Sequence, residues 1–88
     1  MPANPPDLRA LGVEVARLRR ARGWSIERLA EAAGISRKAV IQIEAGRVAA
    51  RITTLHAVAH ALAVPIGELV GVVCHEHPGR LHEPAPMD

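Results

Sequence analysis

The sequence predicts a single all-α domain, and three observations support that prediction. Hydrophobic residues make up 49% of the 88 residues, yet Trp24 is the only aromatic, so the core must be aliphatic. Segments rich in Ala and Leu favour helix. Apolar residues recur at steps of three and four, and Asp, Ser and Gly stand where helices would begin and end. A chain of this length is expected to form one compact domain.

The first helix is expected at about residues 8–22. The preceding segment, 1–7, contains MPANPP with three prolines in six residues and is interpreted as a flexible arm. Asp7 is suited to cap the helix. Its apolar stripe consists of Leu8, Leu11, Val15 and Leu18.

Two short helices follow, each preceded by a serine that is a favourable N-cap. Ser25 is expected to cap helix two at 26–33, and Ser36 to cap helix three at 37–45. Gly34 ends helix two, so the turn between the two helices is very tight.

The rest of the chain is expected to hold a fourth helix, a short fifth helix and a tail. The segment 47–51, RVAAR, is interpreted as a loop, and its last residue, Arg51, is a poor N-cap. Helix four has an apolar stripe and ends at Pro65, and helix five is expected at about 66–70. Residues 71–88 contain three prolines and two glycines and are expected to be loosely ordered. The stripe of helix four consists of Ile52, Leu55, Val58, Ala59 and Leu62.

Helix three has an unusual outer side. At about 100° per residue, Ala39, Val40 and Ile43 lie on one side and form ordinary core. The opposite side combines two cations, an amide and an aliphatic residue. These residues are Arg37, Lys38, Ile41 and Gln42.

Charge is distributed unevenly along the chain. Residues 1–51 carry ten Lys and Arg against five Asp and Glu, a net charge of +5, whereas residues 52–88 carry −3. A polyanion would therefore be attracted to the first half.

Two helices joined by a tight turn, the second with a basic N-terminal half, form the arrangement that places a helix in the DNA major groove. A helix-turn-helix needs a small residue where its helices cross, and Ala30 is suited to this position. Its turn needs a residue without a side-chain clash, which Gly34 provides. The inner side of its second helix must be apolar, as it is at Val40 and Ile43.

Residues 11–70 resemble the lambda-repressor-like, Cro-type helix-turn-helix domains of the XRE family. The resemblance covers about two thirds of the chain. It rests on LRRARGWS before helix two, LAEAAGIS across helix and turn, IEAG at the end of helix three, and TLHAVAHALAV in helix four. It implies a compact five-helix DNA-binding domain spanning 8–70.

The resemblance also implies roles for individual residues. Ser25 and Ile26 begin the helix whose free amides hold a DNA phosphate. Where the family often carries Gln, this chain has Ile26, so that side-chain contact with DNA is lost. Arg47 corresponds to a position near the DNA backbone, and Arg19 and Glu44 to an internal ion pair. The base-reading positions correspond to Arg37, Lys38, Ile41 and Gln42.

Each base-reading residue has a specific chemistry. Arg37 and Lys38 can donate to guanine O6 and N7, and Ile41 can contact a thymine methyl group. The alternative for Ile41 is simple exposure to water. Gln42 can bond adenine or serve a phosphate.

A few other residues have side chains that could form a site. Trp24 is expected to pack rather than stack on a base, and His56 and His60, one turn apart, to be exposed histidines rather than metal ligands. A thiolate and three imidazoles in the tail could hold zinc or copper, but their spacing matches no standard zinc module, so no cofactor is assigned. These tail residues are Cys74, His75, His77 and His82.

The sequence thus predicts a regulator that binds double-stranded DNA and has no catalytic activity. The sequence contains no evident set of catalytic residues and no run of apolar residues long enough to cross a membrane. The single cysteine suits a reducing compartment. A soluble cytoplasmic protein is therefore expected. One short helix reads little DNA, which favours a homodimer on two half-sites, with PIGELVGVVC contributing to self-association. The expected role of this homodimer is that of a repressor. The alternatives are an antitoxin with a toxin partner, a protein-interaction adaptor and a metal-responsive regulator.

Overall fold

A computed structural model describes residues 6–73 of the chain, and this part consists of five α-helices without a strand. The all-α prediction is therefore confirmed. None of these helices is long and apolar enough to cross a membrane. The helices are α1 (Leu8–Ala21), α2 (Ile26–Ala33), α3 (Arg37–Glu44), α4 (Ile52–Ala61) and α5 (Ile66–Gly71).

The helix starts follow the capping residues in the sequence. Asp7 Oδ1 accepts a hydrogen bond from the Ala10 amide at 2.9 Å. The hydroxyls of Ser25 and Ser36 each accept an amide hydrogen bond at 3.0 Å, at the start of α2 and α3. Arg51 precedes α4 and makes no side-chain capping bond, so the first turn of α4 lacks this support.

The core is aliphatic and takes residues from all five helices. Leu29 of α2 and Leu69 of α5 are fully buried, and Val15, Val40 and Val58 are each 1% exposed. Burying such side chains supplies the main stabilisation of a small domain, because each one removes apolar surface from water. The fifth helix is thus part of the folded core.

Some sequence-based expectations differ from the structure. Ile52 was expected in the apolar stripe of helix four but is 63% exposed, because it is the first residue of α4 and lies beyond the edge of the core. Ala39 is half-buried rather than part of the core. Helix four was expected to end at Pro65, but α4 ends at Ala61, because Ala63 adopts a left-handed backbone with φ +59° before the proline is reached. Helices α1 and α3 each end one residue earlier than expected and α5 continues one residue further, to Gly71, which is the usual uncertainty at helix ends.

Helix α1 holds the C-terminal end of α3 at very close range. A Cβ atom built on Gly12 would lie 2.6 Å from the carbonyl oxygen of Ile43 and still nearer to that of Glu44, so only glycine fits there. Arg19 is 7% exposed and donates through Nε and Nη2 to Glu44, at 2.7 and 3.0 Å. Its Nη1 donates to the carbonyl oxygen of Trp24 at 2.9 Å. These contacts fix α3 against α1, which orients the opposite side of α3.

Candidate nucleic-acid interface

The turn between α2 and α3 depends on the backbone of Gly34. This residue has φ +71°, in the left-handed region, and no atom would lie within 4 Å of a Cβ built on it. Glycine is therefore favoured by backbone conformation and not, as the sequence suggested, by the need to avoid a clash. The Ile35 amide donates to the Ala30 carbonyl at 3.0 Å and closes the turn.

The outer side of α3 is available to a partner. Arg37 and Lys38 are exposed and Ile41 and Gln42 are half-buried. On the inner side, Val40 and Ile43 are 1% and 3% exposed. Helix α3 therefore divides into a side that packs and a side that presents a guanidinium, an ammonium, an aliphatic group and an amide.

An open groove of about 540 Å³ runs beside this outer side. It lies between α3, the loop 45–51 and the start of α4. Lys38 and Gln42 line it from α3, while Arg51 and Thr54 line it from the other side. From the sequence, Arg51 was expected only to be a poor N-cap of helix four. Its positive charge in the loop before α4 was the sequence signal for a place in this groove. With Ser36, the groove has two cations and three neutral polar groups around a partly apolar base.

The three positions assigned to the DNA backbone lie near the two ends of the helix-turn-helix. Ser25 and Ile26 begin α2, with Ser25 exposed and Ile26 half-buried against the core. Arg47 is exposed after Gly46, and its own amide donates to the Gln42 carbonyl at 3.0 Å. Ser25 and Arg47 are thus both accessible at the surface.

An ion pair that was not predicted from the sequence joins α2 to the outer side of α3. Arg37 Nε lies 2.6 Å from Glu27 Oε2. The pKa of the Glu27 carboxyl is lowered from its ordinary value of 4.5, first by a hydrogen bond from its own backbone amide, then by Arg37 and, more weakly, by Ser25. Nothing in the sequence spacing indicates this contact, because it depends on how closely the two helices approach.

A second cluster lies where α1 leads into α2. The guanidinium carbons of Arg22 and Arg28 lie 5.2 and 4.9 Å from the centre of the Trp24 ring, within the range of cation–π attraction. Trp24 also packs against the core, as the sequence predicted. The ring therefore holds two exposed arginines close to the start of α2.

The histidines of α4 form a stacked pair. The rings of His56 and His60 have centroids 6.4 Å apart, and both residues are exposed. Among residues 6–73 no three His, Cys, Asp or Glu side chains are grouped so that they could hold a metal ion. The four tail residues considered as metal ligands, Cys74, His75, His77 and His82, lie outside the described residues.

Comparisons with known proteins agree on one kind of domain. The sequence model of the helix-turn-helix family HTH_3 matches residues 15–69. The HTH-type transcriptional regulator SutR of Escherichia coli K12 is 39% identical over 62 residues. That region is 70% of this chain but only 35% of SutR, so the chain spans about a third of this relative.

Two solved structures have the same arrangement of helices. The restriction-modification controller protein C.AhdI from Aeromonas hydrophila is 33% identical, with a TM-score of 0.70 over 72% of this chain and 96% of C.AhdI. The biofilm master regulator SinR, solved in complex with DNA, is 28% identical, with a TM-score of 0.64 over 67% of this chain and 95% of that one.

Proposed function

Because this chain belongs to the XRE-type helix-turn-helix family HTH_3, we propose that it is a sequence-specific DNA-binding regulator of transcription. The observation that carries the proposal is the outer side of α3. It presents polar and cationic groups to solvent while the inner side is packed and the C-terminal end is fixed to α1. The chain acts by binding and positioning, without a catalytic step.

The contacts to the bases come from α3. Arg37 and Lys38 donate to guanine, Gln42 bonds adenine or a phosphate, and Ile41 contacts a thymine methyl group. The major groove accommodates one helix, and the side chains on the outer side of α3 match the variety of donors, acceptors and methyl groups found there.

The contacts to the DNA backbone surround α3. Ser25 and Ile26 offer the amides at the start of α2, and Arg47 and Arg51 offer cations on the loop that follows α3. Such contacts fix the orientation of the protein on the duplex and supply salt-dependent affinity without reading sequence.

The regulator acts as a homodimeric repressor on two half-sites about one helical turn apart. Self-association uses the segment 65–74, in which Val70 is 38% exposed on α5. The similar structure of SinR was solved in complex with DNA, and this supports the proposal that the present chain binds a duplex.

The first test is the binding of the purified protein to the DNA upstream of its own gene, compared with a scrambled duplex, over a series of salt concentrations. The upstream duplex should bind more tightly, and the logarithm of both binding constants should fall linearly with the logarithm of salt. Reversing the charges of Arg37 and Lys38 should abolish the preference. A protein that prefers neither duplex at any salt concentration would contradict the proposal and favour an interaction adaptor.

The alternative functions need residues other than those on the outer side of α3. A toxin partner would need a second surface beside the DNA-binding one. A metal-responsive regulator would need the Cys and His residues of the tail, which lie outside the described residues.

A further inference from the structure

Glu27 of α2 contacts Arg37, the first residue of α3. The two residues are ten apart in sequence, and Arg37 Nε lies 2.6 Å from Glu27 Oε2. Both side chains are exposed, at 61% for Arg37 and 63% for Glu27. Exposed ion pairs contribute little to folding, because water screens them and both side chains lose rotamer freedom. The contribution of this pair to folding stability is therefore small.

The start of α3 has an unfavourable charge arrangement. Arg37 and Lys38 both lie in its first turn, which contains no acidic residue, although the positive end of a helix dipole disfavours cations. Glu27 supplies the anion from the neighbouring helix. Its pKa lies below 4.5, so the carboxylate is ionised at neutral pH.

The direction of the contact matters for what Arg37 can still bind. Glu27 accepts the Nε–H, so the Nη1 and Nη2 groups remain to donate. A guanidinium can bond both O6 and N7 of one guanine only if its planar group is held in the right orientation. A carboxylate on the Nε side restricts that orientation and also repels phosphate, which is the competing acceptor for an arginine.

We propose that Glu27 determines specificity through Arg37: it holds the guanidinium for a guanine and disfavours its transfer to the DNA backbone. Glu27 itself is a positioning residue and reads no base. This inference rests on the proposed function, because it assumes that α3 lies in the major groove.

The experiment is a selection of tight-binding duplexes from a random library by the full chain and its variants. Glu27→Gln keeps the size of the side chain and removes its charge. Glu31→Gln is the matched control, because Glu31 is also an exposed acid of α2, 4.0 Å from Arg28 and not bonded to Arg37. Arg37→Ala identifies the base pair that Arg37 reads.

The wild type should select a consensus that contains a guanine whose preference disappears in Arg37→Ala. Glu27→Gln should lose preference for that same guanine by at least about fivefold, near the lower end for a bidentate arginine–guanine contact. Preferences at the other positions should persist, and Glu31→Gln should keep all of them. A Glu27→Gln protein with the wild-type preference at that guanine would overturn the proposal.

A measurement without DNA separates failure of this inference from failure of the proposed function. In nitrogen-15 spectra of the free protein, the Nε–H signal of Arg37 should shift in Glu27→Gln and remain in place in Glu31→Gln. If the wild type selects no consensus, the proposed function and this inference both fail. If a consensus appears but the Arg37 signal does not respond to Glu27→Gln, only the inference fails.

Discussion

Gly12 is a residue at which the addition of a single methyl group should strongly destabilise the protein. A methyl group at this position would meet the carbonyl oxygens of Ile43 and Glu44. Gly12→Ala should therefore force α1 and α3 apart and lower the free energy of unfolding by at least about 2 kcal/mol. Urea denaturation measures this change.

The control for that substitution is another helical glycine. Gly67 of α5 has no positive φ, and a Cβ built on it would have no atom within 4 Å. Gly67→Ala should be neutral or stabilising by up to about 1 kcal/mol, because alanine has the higher helix propensity. Equal effects of the two substitutions would show that the close contact at Gly12 is unimportant.

Ile41 is the aliphatic residue of the outer side. It is half-buried on α3, between its polar neighbours and the packed side of the helix. If it contacts a thymine methyl group, Ile41→Ala should lose discrimination at one T·A base pair and retain it elsewhere. Binding to a set of single-base operator variants measures this; a uniform change across all variants would assign Ile41 to packing alone.

At the scale of elements, the start of α4 combines weak capping with a proposed DNA contact. Arg51 makes no side-chain capping bond and lines the groove beside α3. Arg51→Ser should stabilise the protein by about 0.5–2 kcal/mol through a new N-cap bond. It should also weaken binding to all duplexes alike and reduce the salt slope by about 1, because one phosphate contact is lost.

Arg51→Ala separates these two effects, since it removes the cation and adds no cap. It should weaken DNA binding as Arg51→Ser does, without the gain in thermal stability. If either variant bound DNA as tightly as the wild type at every salt concentration, Arg51 would not contact the duplex.

The helices themselves were predictable because their signals are local. Ser25 and Ser36 act on amides three residues away, and the periodic apolar residues of each helix are visible in a short window. Glu27 and Gly12 carry no such signal, since their roles depend on the distance between helices. Ile52 shows the limit of periodicity, which gives the face of a helix but not where the core ends.

At the scale of the whole molecule, self-association should depend on α5. Truncating the chain before this helix would remove Leu69, which is fully buried, and would unfold the domain along with any dimer. Val70→Asp is the sharper change, because this valine is 38% exposed and contributes little to the core. Sedimentation should then show a monomer at concentrations where the wild type is dimeric.

Val13→Asp is the matched control, since Val13 is 65% exposed on α1, outside the proposed segment. It should leave the dimer intact. A Val70→Asp protein that dimerises like the wild type would exclude this part of α5 from the contact.

The attachment of α3 through its inner side and its C-terminal end has a consequence for how such a protein can diversify. Helix α3 is attached to the core and to α1 by Val40, Ile43 and Glu44, none of which belongs to the outer side. Residues 37, 38, 41 and 42 can therefore be exchanged as a set without rebuilding the domain. Under the proposed reading of bases by α3, duplicated copies could acquire separate target sites by a few substitutions, and a designer could reprogram the same scaffold in the same way.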